Sequence, residues 1–121
     1  MADIPRLNGA IKALESGKPA FVTFSAAEID TAQAIAAALY DAVVFEMEHN
    51  PFDVKALRDC MQYMVDRRQV AQSGSIAPPV TPFVRIPPNG GELNQWIAKQ
   101  VLDIGVYGSS PQEKFLYLQS S

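Results

Sequence analysis

Several residue types and patterns are scarce in this sequence, and each shortage excludes a class of protein. Cys60 is the single cysteine among 121 residues, which excludes an internal disulfide framework and favours a reducing compartment. Ten scattered basic residues stand against thirteen acidic ones, so the net charge of −3 argues against nucleic acid as a partner. No segment approaches the ~20 apolar residues that span a bilayer, and residues 1–6 lack the apolar core of a signal peptide. These shortages predict a cytoplasmic protein that binds neither nucleic acid nor membrane.

Hydrophobic residues are abundant, at 48% of the chain, and they alternate between strand-like and helix-like patterns. Short apolar, β-branched segments predict buried strands at residues 20–24, 41–48 and 82–87, with a fourth strand beginning at Val106. Apolar stripes with helical spacing predict helices at residues 5–16, 25–39, 53–64 and 93–102. A helix followed by repeated strand–helix units is typical of an α/β fold with a parallel sheet and right-handed crossovers.

Polar residues and glycines mark the expected helix ends. Ser25 and Glu28 have the spacing of a capping box at the start of the second helix, and Asp53 is placed to cap the third. Gly17 and Gly105 follow helical stripes directly, where a left-handed residue stops a helix. These residues set the predicted lengths of the helices.

Other segments are expected to be structural rather than functional. Residues 66–82 lack periodicity and contain Gly and Pro, so they predict a long loop on the side of the sheet away from any site. Trp96 fits the buried face of its helix, and Cys60 fits a small core residue in another. Methionines 47, 61 and 64 are interpreted as packing residues.

Two closures of such a sheet remain open at this point: an open doubly wound sheet and a (β/α)₈ barrel. No Gly-rich phosphate loop follows the first strand, which weakens the dinucleotide-binding version of the open sheet. Because a barrel usually needs ~250 residues, the chain would contain the first half of a TIM-type barrel, truncated within the fourth strand. Residues 1–108 would form this half-barrel, and residues 109–121 are a tail that interrupts the fourth strand.

Charged residues gather where the predicted second strand ends, and parallel α/β folds bind ligands at the carboxyl ends of their strands. Glu46 and Glu48 are two apart and therefore share a face of the strand, at a cost unless a cation or proton accompanies them. His49, the single histidine, follows at the start of the loop and could exchange protons near neutral pH. The alternative is a structural ion pair with a histidine that faces solvent.

Two further charged residues have a structural and a functional interpretation. Arg85 lies within the third strand and needs an anionic partner there: a structural carboxylate such as Glu46 or Glu48, or the carboxylate of a substrate. Asp103 lies next to a helix end, where a surface charge is the ordinary interpretation.

Three blocks, in order, resemble one family. The first block, residues 41–53 (DAVVFEMEHNPFD), is an acidic strand that ends in Glu-His and leads into a Pro-containing loop. The second, residues 83–87 (FVRIP), is an Arg-bearing strand. The third, residues 100–108 (QVLDIGVYG), is a Leu-Asp-x-Gly-x-x-Gly segment. These blocks resemble metal-dependent pyruvate aldolases of the 4-hydroxy-2-oxoheptanedioate and 2-dehydro-3-deoxyglucarate aldolase type, in a superfamily with citrate lyase β-type enzymes. The resemblance extends over residues 7–108.

The resemblance implies a (β/α)₈ barrel that forms homo-oligomers and acts as a carbon–carbon lyase, an aldehyde-lyase. Its partners would be a 2-oxoacid and an aldehyde, and a divalent metal, Mg or Mn, would stabilise a pyruvate enolate. His49 would be the catalytic acid/base and Arg85 would bind the pyruvate oxygens. Asp103 would be the aspartate that the family pairs with this histidine, within a subunit or across a subunit interface. Glu46 and Glu48 would lie at the substrate.

The sequence departs from the family in two ways. Glu46 stands where many members carry Asp, and residues 109–121 do not resemble the family. The family's metal ligands come from later strands, so no residue is nominated as a metal ligand and weak or no activity of this chain alone is expected. Two alternatives follow: a non-catalytic oligomerisation or interaction module derived from such an aldolase, and an open-sheet binding protein without this chemistry.

Overall fold

The computed structural model describes residues 6–88, 95–110 and 117–118. Its helices are α1 Gly9–Glu15, α2 Ile29–Ala36, α3 Val54–Tyr63, α4 Arg67–Ser73 and α5 Gln95–Asp103. Its strands are β1 Val22–Ser25, β2 Ala42–Glu46, β3 Thr81–Arg85, β4 Gly108–Ser110 and β5 Tyr117–Leu118. Within these described ranges, no helix is long and apolar enough to cross a membrane.

The strands form one sheet in the order β1-β2-β3-β4-β5. Strands β1 to β4 are parallel to one another, and β5 pairs with β4 in the antiparallel direction. The parallel α/β arrangement predicted from the alternating pattern is therefore confirmed. The carboxyl ends of β2 and β3 meet at one edge of the sheet, with Glu46 opposite Arg85 in the register.

Helices α2, α3 and α5 cover one face of the sheet. Their buried residues belong to a single core cluster with inward side chains of the strands; this cluster includes Ala32, Ile35, Val43, Phe45, Leu57, Cys60, Val84, Ile97 and Val101. The opposite face carries Val22 and Phe24, which are exposed, next to the half-buried Val44 and Phe83. The described helices thus leave this second face, which we term the open face, largely uncovered.

Helix α1 is attached at the amino end of the sheet. The backbone N–H of Gly9 donates to the hydroxyl oxygen of Thr81 at 2.8 Å, and a Cβ at Gly9 would lie 3.1 Å from that same oxygen. Asn8 is fully buried and caps the helix by accepting from the N–H of Ile11. The absence of a side chain at Gly9 therefore allows α1 to approach the strand closely.

Several predicted helix ends are confirmed. Asp53 caps α3 by accepting from the N–H of Ala56 at 3.0 Å. Gly17 follows the end of α1 and Gly105 follows the end of α5. Their φ values are 78° and 101°, which residues other than glycine rarely adopt. The burial of Cys60 is confirmed as well, and that burial raises the pKa of its thiol. Methionines 47 and 64 are also buried.

The capping box and the long loop were wrong predictions. Ser25 is the last residue of β1, where it pairs with β2 and donates from its hydroxyl to the Ala26 carbonyl, so α2 begins after Glu28 without a side-chain cap. The segment 66–82 contains helix α4, because Asp66 accepts from two N–H groups at its start and Gly74, at φ 67°, ends it.

Two further predictions were also wrong. Trp96 is 56% exposed, since α5 buries Ile97 and Val101 instead, and an adjacent residue lies about 100° around the helix. The fourth strand begins at Gly108 rather than Val106, and it includes Ser109 and Ser110 of the segment predicted to interrupt it. Residues 111–116 and 119–121 of the predicted tail lie outside the described residues.

Candidate active site at the carboxyl ends of β2 and β3

An ion pair joins the ends of the two strands. Glu46 ends β2 and Arg85 ends β3, and their register places the two side chains on the open face. One guanidinium nitrogen of Arg85, Nη1, donates to Glu46 Oε2 at 3.0 Å. Both side chains are mostly buried, at 25% and 16% exposure. The structural partner predicted for Arg85 is therefore present in this structure.

Glu48 provides a second carboxylate to the same guanidinium. Its Oε2 forms an ion pair with Arg85 Nε, and its side chain is only 6% exposed. This oxygen is buried, and no described donor reaches it in hydrogen-bond geometry. Arg85 is thus held by two carboxylates on two of its nitrogens, which fixes the direction of the third.

The other oxygen of Glu46 organises the start of the β2–α3 loop. Oε1 accepts from the backbone N–H of Glu48 at 2.8 Å and from that of His49 at 3.2 Å. Burial alone would raise the pKa of Glu46, but these two N–H groups and the Arg85 guanidinium outweigh it and lower the pKa below its usual value. Glu46 is therefore ionised over the whole neutral range.

His49 lies at the solvent side of this cluster. Its ring nitrogen Nε2 is 3.4 Å from Arg85 Nη2 and 3.8 Å from Glu48 Oε2, and its side chain is 64% exposed. The imidazole Nε2 and the remaining guanidinium nitrogen thus lie side by side at one point of the surface. An oxygen atom at that point could accept a hydrogen bond from Arg85 and exchange a proton with His49.

The charges of the cluster limit what it can bind. Two carboxylates and one guanidinium leave a net charge of −1 when His49 is neutral. A protonated His49 brings the cluster to neutrality and an added divalent cation brings it above, so an anionic ligand is then no longer repelled by a net negative charge. The cluster therefore suits a ligand that arrives with a proton or a cation.

The structure does not bring Asp103 to this cluster. Asp103 is exposed at the end of α5, which leads into the amino end of β4, whereas His49 follows the carboxyl end of β2. Within one chain the predicted His–Asp pair would have to extend across the height of the sheet. The catalytic role of Asp103 remains a prediction.

A cavity of about 250 Å³ adjoins Glu46. Its polar lining comes from Glu28, Asn50 and Asp53 in addition to Glu46, on the loops that follow β1 and β2. Glu28 and Asn50 were not predicted as site residues. Their position in the loops that follow β1 and β2 is the signal that could have identified them.

A second cavity, of about 190 Å³, lies near the amino ends of the strands. It is lined mainly by apolar side chains, among them Met61, Met64, Ile76 and Pro79. Glu46 of the charged cluster lines the first cavity and no residue of that cluster lines the second, so we place the candidate site at the carboxyl ends of β2 and β3.

A metal does not fit the residues at the candidate site. In the described ranges there is no group of three or more His, Cys, Asp and Glu side chains that could hold a metal ion. Both oxygens of Glu46 already accept hydrogen bonds, and Nε2 of His49 lies 3.4 Å from the cationic guanidinium of Arg85. These residues do not form a metal site among themselves.

Among known proteins, the likeness of this chain is to solved structures. No protein-family model and no curated protein matches the chain. The solved structure of an HpcH/HpaI aldolase/citrate lyase family protein from Burkholderia cenocepacia J2315 is similar, with a TM-score of 0.62 and 24% sequence identity. The likeness covers 84% of this chain and 35% of that one, so this chain spans about a third of the length of that protein. It shows that the chain shares the fold of that part of the solved structure.

Proposed function

We propose that this chain forms part of an aldolase-type carbon–carbon lyase that acts on 2-oxoacids, with His49 and Arg85 as its reacting groups. The observation that supports this most directly is the distance of 3.4 Å between His49 Nε2 and Arg85 Nη2 at the carboxyl ends of β2 and β3. An acid/base next to a fixed cation is what cleavage through an enolate requires. The three sequence blocks and the similar aldolase-family structure agree with this proposal.

The one-sided cover of the sheet supports the barrel form of this proposal. A doubly wound sheet has helices on both faces, whereas a barrel has its helices outside and side chains of the strands inside. Here α2, α3 and α5 share one core cluster on one face. The open face would then be the interior of a barrel, with Glu46 and Arg85 at its carboxyl-terminal mouth.

Cleavage of a 4-hydroxy-2-oxoacid can be assigned to these groups step by step. His49 Nε2 takes the proton of the C4 hydroxyl, the C3–C4 bond breaks, and the electron pair of that bond forms the enolate of pyruvate as the aldehyde leaves. Arg85 Nη2 donates to the enolate oxygen and stabilises its developing charge. His49 then returns the proton to C3, which yields pyruvate and restores the neutral imidazole.

A divalent metal would supply further stabilisation of the enolate oxygen in an enzyme of this class. The described residues do not provide its ligands, so no step above depends on it. Any metal would have to be held by other residues.

Exchange of the pyruvate methyl protons with deuterated water tests this function, because it needs the enolate and no aldehyde. We expect exchange above the buffer rate, and its loss in His49→Ala and Arg85→Gln. Arg58→Gln, an exposed arginine paired with its neighbour Asp59, is the matched control and should behave as the parent chain. Equal exchange in the parent chain and both site variants would contradict the proposal.

Asp103 enters the proposal as a residue that acts from a second copy of the chain. It is exposed and lies far from His49 along the sheet, so a pair between them requires another subunit. Mixing inactive His49→Ala with inactive Asp103→Ala should restore part of the exchange in mixed oligomers, since some sites then contain both residues. Failure to restore any exchange would remove Asp103 from the site.

A second candidate function, a non-catalytic oligomerisation module, is favoured by the open face. Strand β1 pairs with β2 on one side, and no described strand pairs with its other side. Its Phe24 is 61% exposed and Val22 is 47% exposed. Unpaired apolar strand edges associate readily, and the occupant that we propose is a second copy of this chain.

Light scattering after size-exclusion chromatography tests this second candidate. A discrete oligomer that Phe24→Lys converts to monomer would support it, because the charge would lie on the open face. Leu39→Lys is the control, since Leu39 is fully exposed and lies outside the sheet. A monomeric parent chain, or equal dissociation by both variants, would contradict it.

A further inference from the structure

Glu46 makes contacts in two directions. Through Oε1 it accepts from the backbone N–H groups of Glu48 and His49, and through Oε2 it accepts from Arg85 Nη1. One carboxylate thereby connects the backbone that carries the imidazole to the side chain that carries the cation. Because the carboxylate is planar and rigid, its two sets of bonds fix these groups relative to each other.

We propose that Glu46 is a positioning residue that sets the distance between His49 and Arg85, and that it does not contact the substrate. This inference rests on the proposed function for its catalytic consequence. Its structural part, the bridge from the loop to Arg85, stands apart from any reaction. It revises the expectation that Glu46 lies at the substrate.

The bonding of the carboxylate leaves little capacity for a ligand. Three donors already share the two oxygens of Glu46, and its side chain is 16% exposed. An anionic 2-oxoacid would also be repelled by this carboxylate, whereas Arg85 Nη2 lies beside the exposed His49 ring, 3.4 Å from its Nε2. The substrate is therefore expected on the far side of the guanidinium from Glu46.

Three substitutions separate the two halves of the bridge. Glu46→Gln keeps an oxygen that can accept from the loop N–H groups but presents an amide donor to Arg85 Nη1, which is itself a donor. Glu46→Asp is one methylene shorter and reaches one side of the bridge at most. Glu46→Ala removes both sides.

Amide hydrogen exchange and ring contacts measured by NMR, without any substrate, test the structural part. We expect the N–H groups of Glu48 and His49 to exchange about tenfold faster in Glu46→Ala and to stay protected in Glu46→Gln. The nuclear Overhauser contact between the His49 ring and Arg85 should weaken in Glu46→Ala and in Glu46→Gln. Glu28→Gln is the control, since Glu28 lines the same cavity and caps α2 without a side-chain bond.

Pyruvate methyl exchange tests the catalytic part. A positioning role predicts that Glu46→Gln lowers kcat by about 100-fold and changes KM little, because misplaced groups slow the reaction more than they weaken binding. A loss that appears mainly in KM, with loop amides and ring contact unchanged, would overturn the proposal in favour of direct substrate contact. Unchanged amide exchange in Glu46→Ala, judged folded by near-UV circular dichroism, would overturn it as well. If the parent chain shows no pyruvate exchange, the proposed function fails, and the amide data still decide the bridge.

Discussion

Arg85 Nη2 and His49 Nε2 lie 3.4 Å apart although 36 residues separate them in the sequence. The parallel pairing of β2 with β3 accounts for the long-range part of this contact, since Glu46 and Arg85 occupy opposite register positions. The local part comes from the turn after β2, which Glu46 holds through two backbone N–H groups. The pair is therefore a property of the sheet register and of one buried carboxylate.

Replacing Arg85 by Gln should destabilise the chain by about 1–3 kcal/mol, because the largely buried carboxylates of Glu46 and Glu48 would lose their cation. Urea unfolding at neutral pH measures the change. Arg58→Gln is the matched control, and its exposed pair with Asp59 should contribute nothing measurable. Equal stability of Arg85→Gln and the parent chain would show that the ion pairs do not form in solution.

The stability that Glu46 contributes should depend on pH in one direction. Its pKa is lowered in the folded state, so folding favours the ionised carboxylate. The contribution is fully present above the unfolded value of about 4.3 and is lost as pH falls through the folded pKa below it. The difference in the free energy of unfolding between the parent chain and Glu46→Gln should therefore shrink as pH falls below about 4. A difference that is constant from neutral to acid pH would contradict the lowered pKa.

Thr81→Val should loosen helix α1 from the sheet. Thr81 is fully buried, and its hydroxyl accepts from the N–H of Gly9, so the isosteric valine leaves that donor without its partner at a cost of about 1–3 kcal/mol. Amide exchange at Gly9 should accelerate, and the unfolding midpoint in urea should fall. Thr23→Val serves as the control, because the Thr23 hydroxyl contacts only the neighbouring Phe24 carbonyl at 3.4 Å among its described partners. An equal effect of both variants would argue against the contact.

Leu57→Ala should destabilise the core by about 2–5 kcal/mol. Leu57 is fully buried on α3 within the cluster that joins the helices to the sheet, and truncation there removes apolar contacts and leaves a cavity. Leu39→Ala, at a fully exposed position, should leave the free energy of unfolding unchanged. Thermal and urea unfolding give both values, and a cost for Leu57→Ala no larger than for Leu39→Ala would contradict the burial of α3.

Much of the fold followed from local patterns in the sequence. Apolar segments such as residues 42–46 formed strands because a short apolar run with β-branched residues is typical of a buried strand, and Asp53 capped α3 because its side chain reaches an N–H three residues away. The cost of burying an unpaired guanidinium in a strand predicted an anionic partner for Arg85, with Glu46, Glu48 and a substrate carboxylate as candidates, and both glutamates pair with it.

The remaining features depend on contacts between distant residues. Ser25 had the spacing of a helix cap, but strand pairing with β2 placed it in β1. Trp96 had the right residue type for a core, but the rotation of α5 on the sheet buried Ile97 instead. One oxygen of Glu46 accepts from the nearby loop backbone, and the other accepts from Arg85, which is distant in the sequence. The spacing of the residues alone did not predict that Glu46 would bond to both.

The most direct measurement of the central claim is an NMR titration of the His49 ring with pyruvate. As the single histidine, His49 gives ring resonances that need no assignment among others. We expect a saturable shift in the millimolar range, about −4 kcal/mol in binding free energy, that is lost in Arg85→Gln and retained in Arg58→Gln. The absence of a shift, or an equal shift in Arg85→Gln, would show that His49 and Arg85 do not form a 2-oxoacid site.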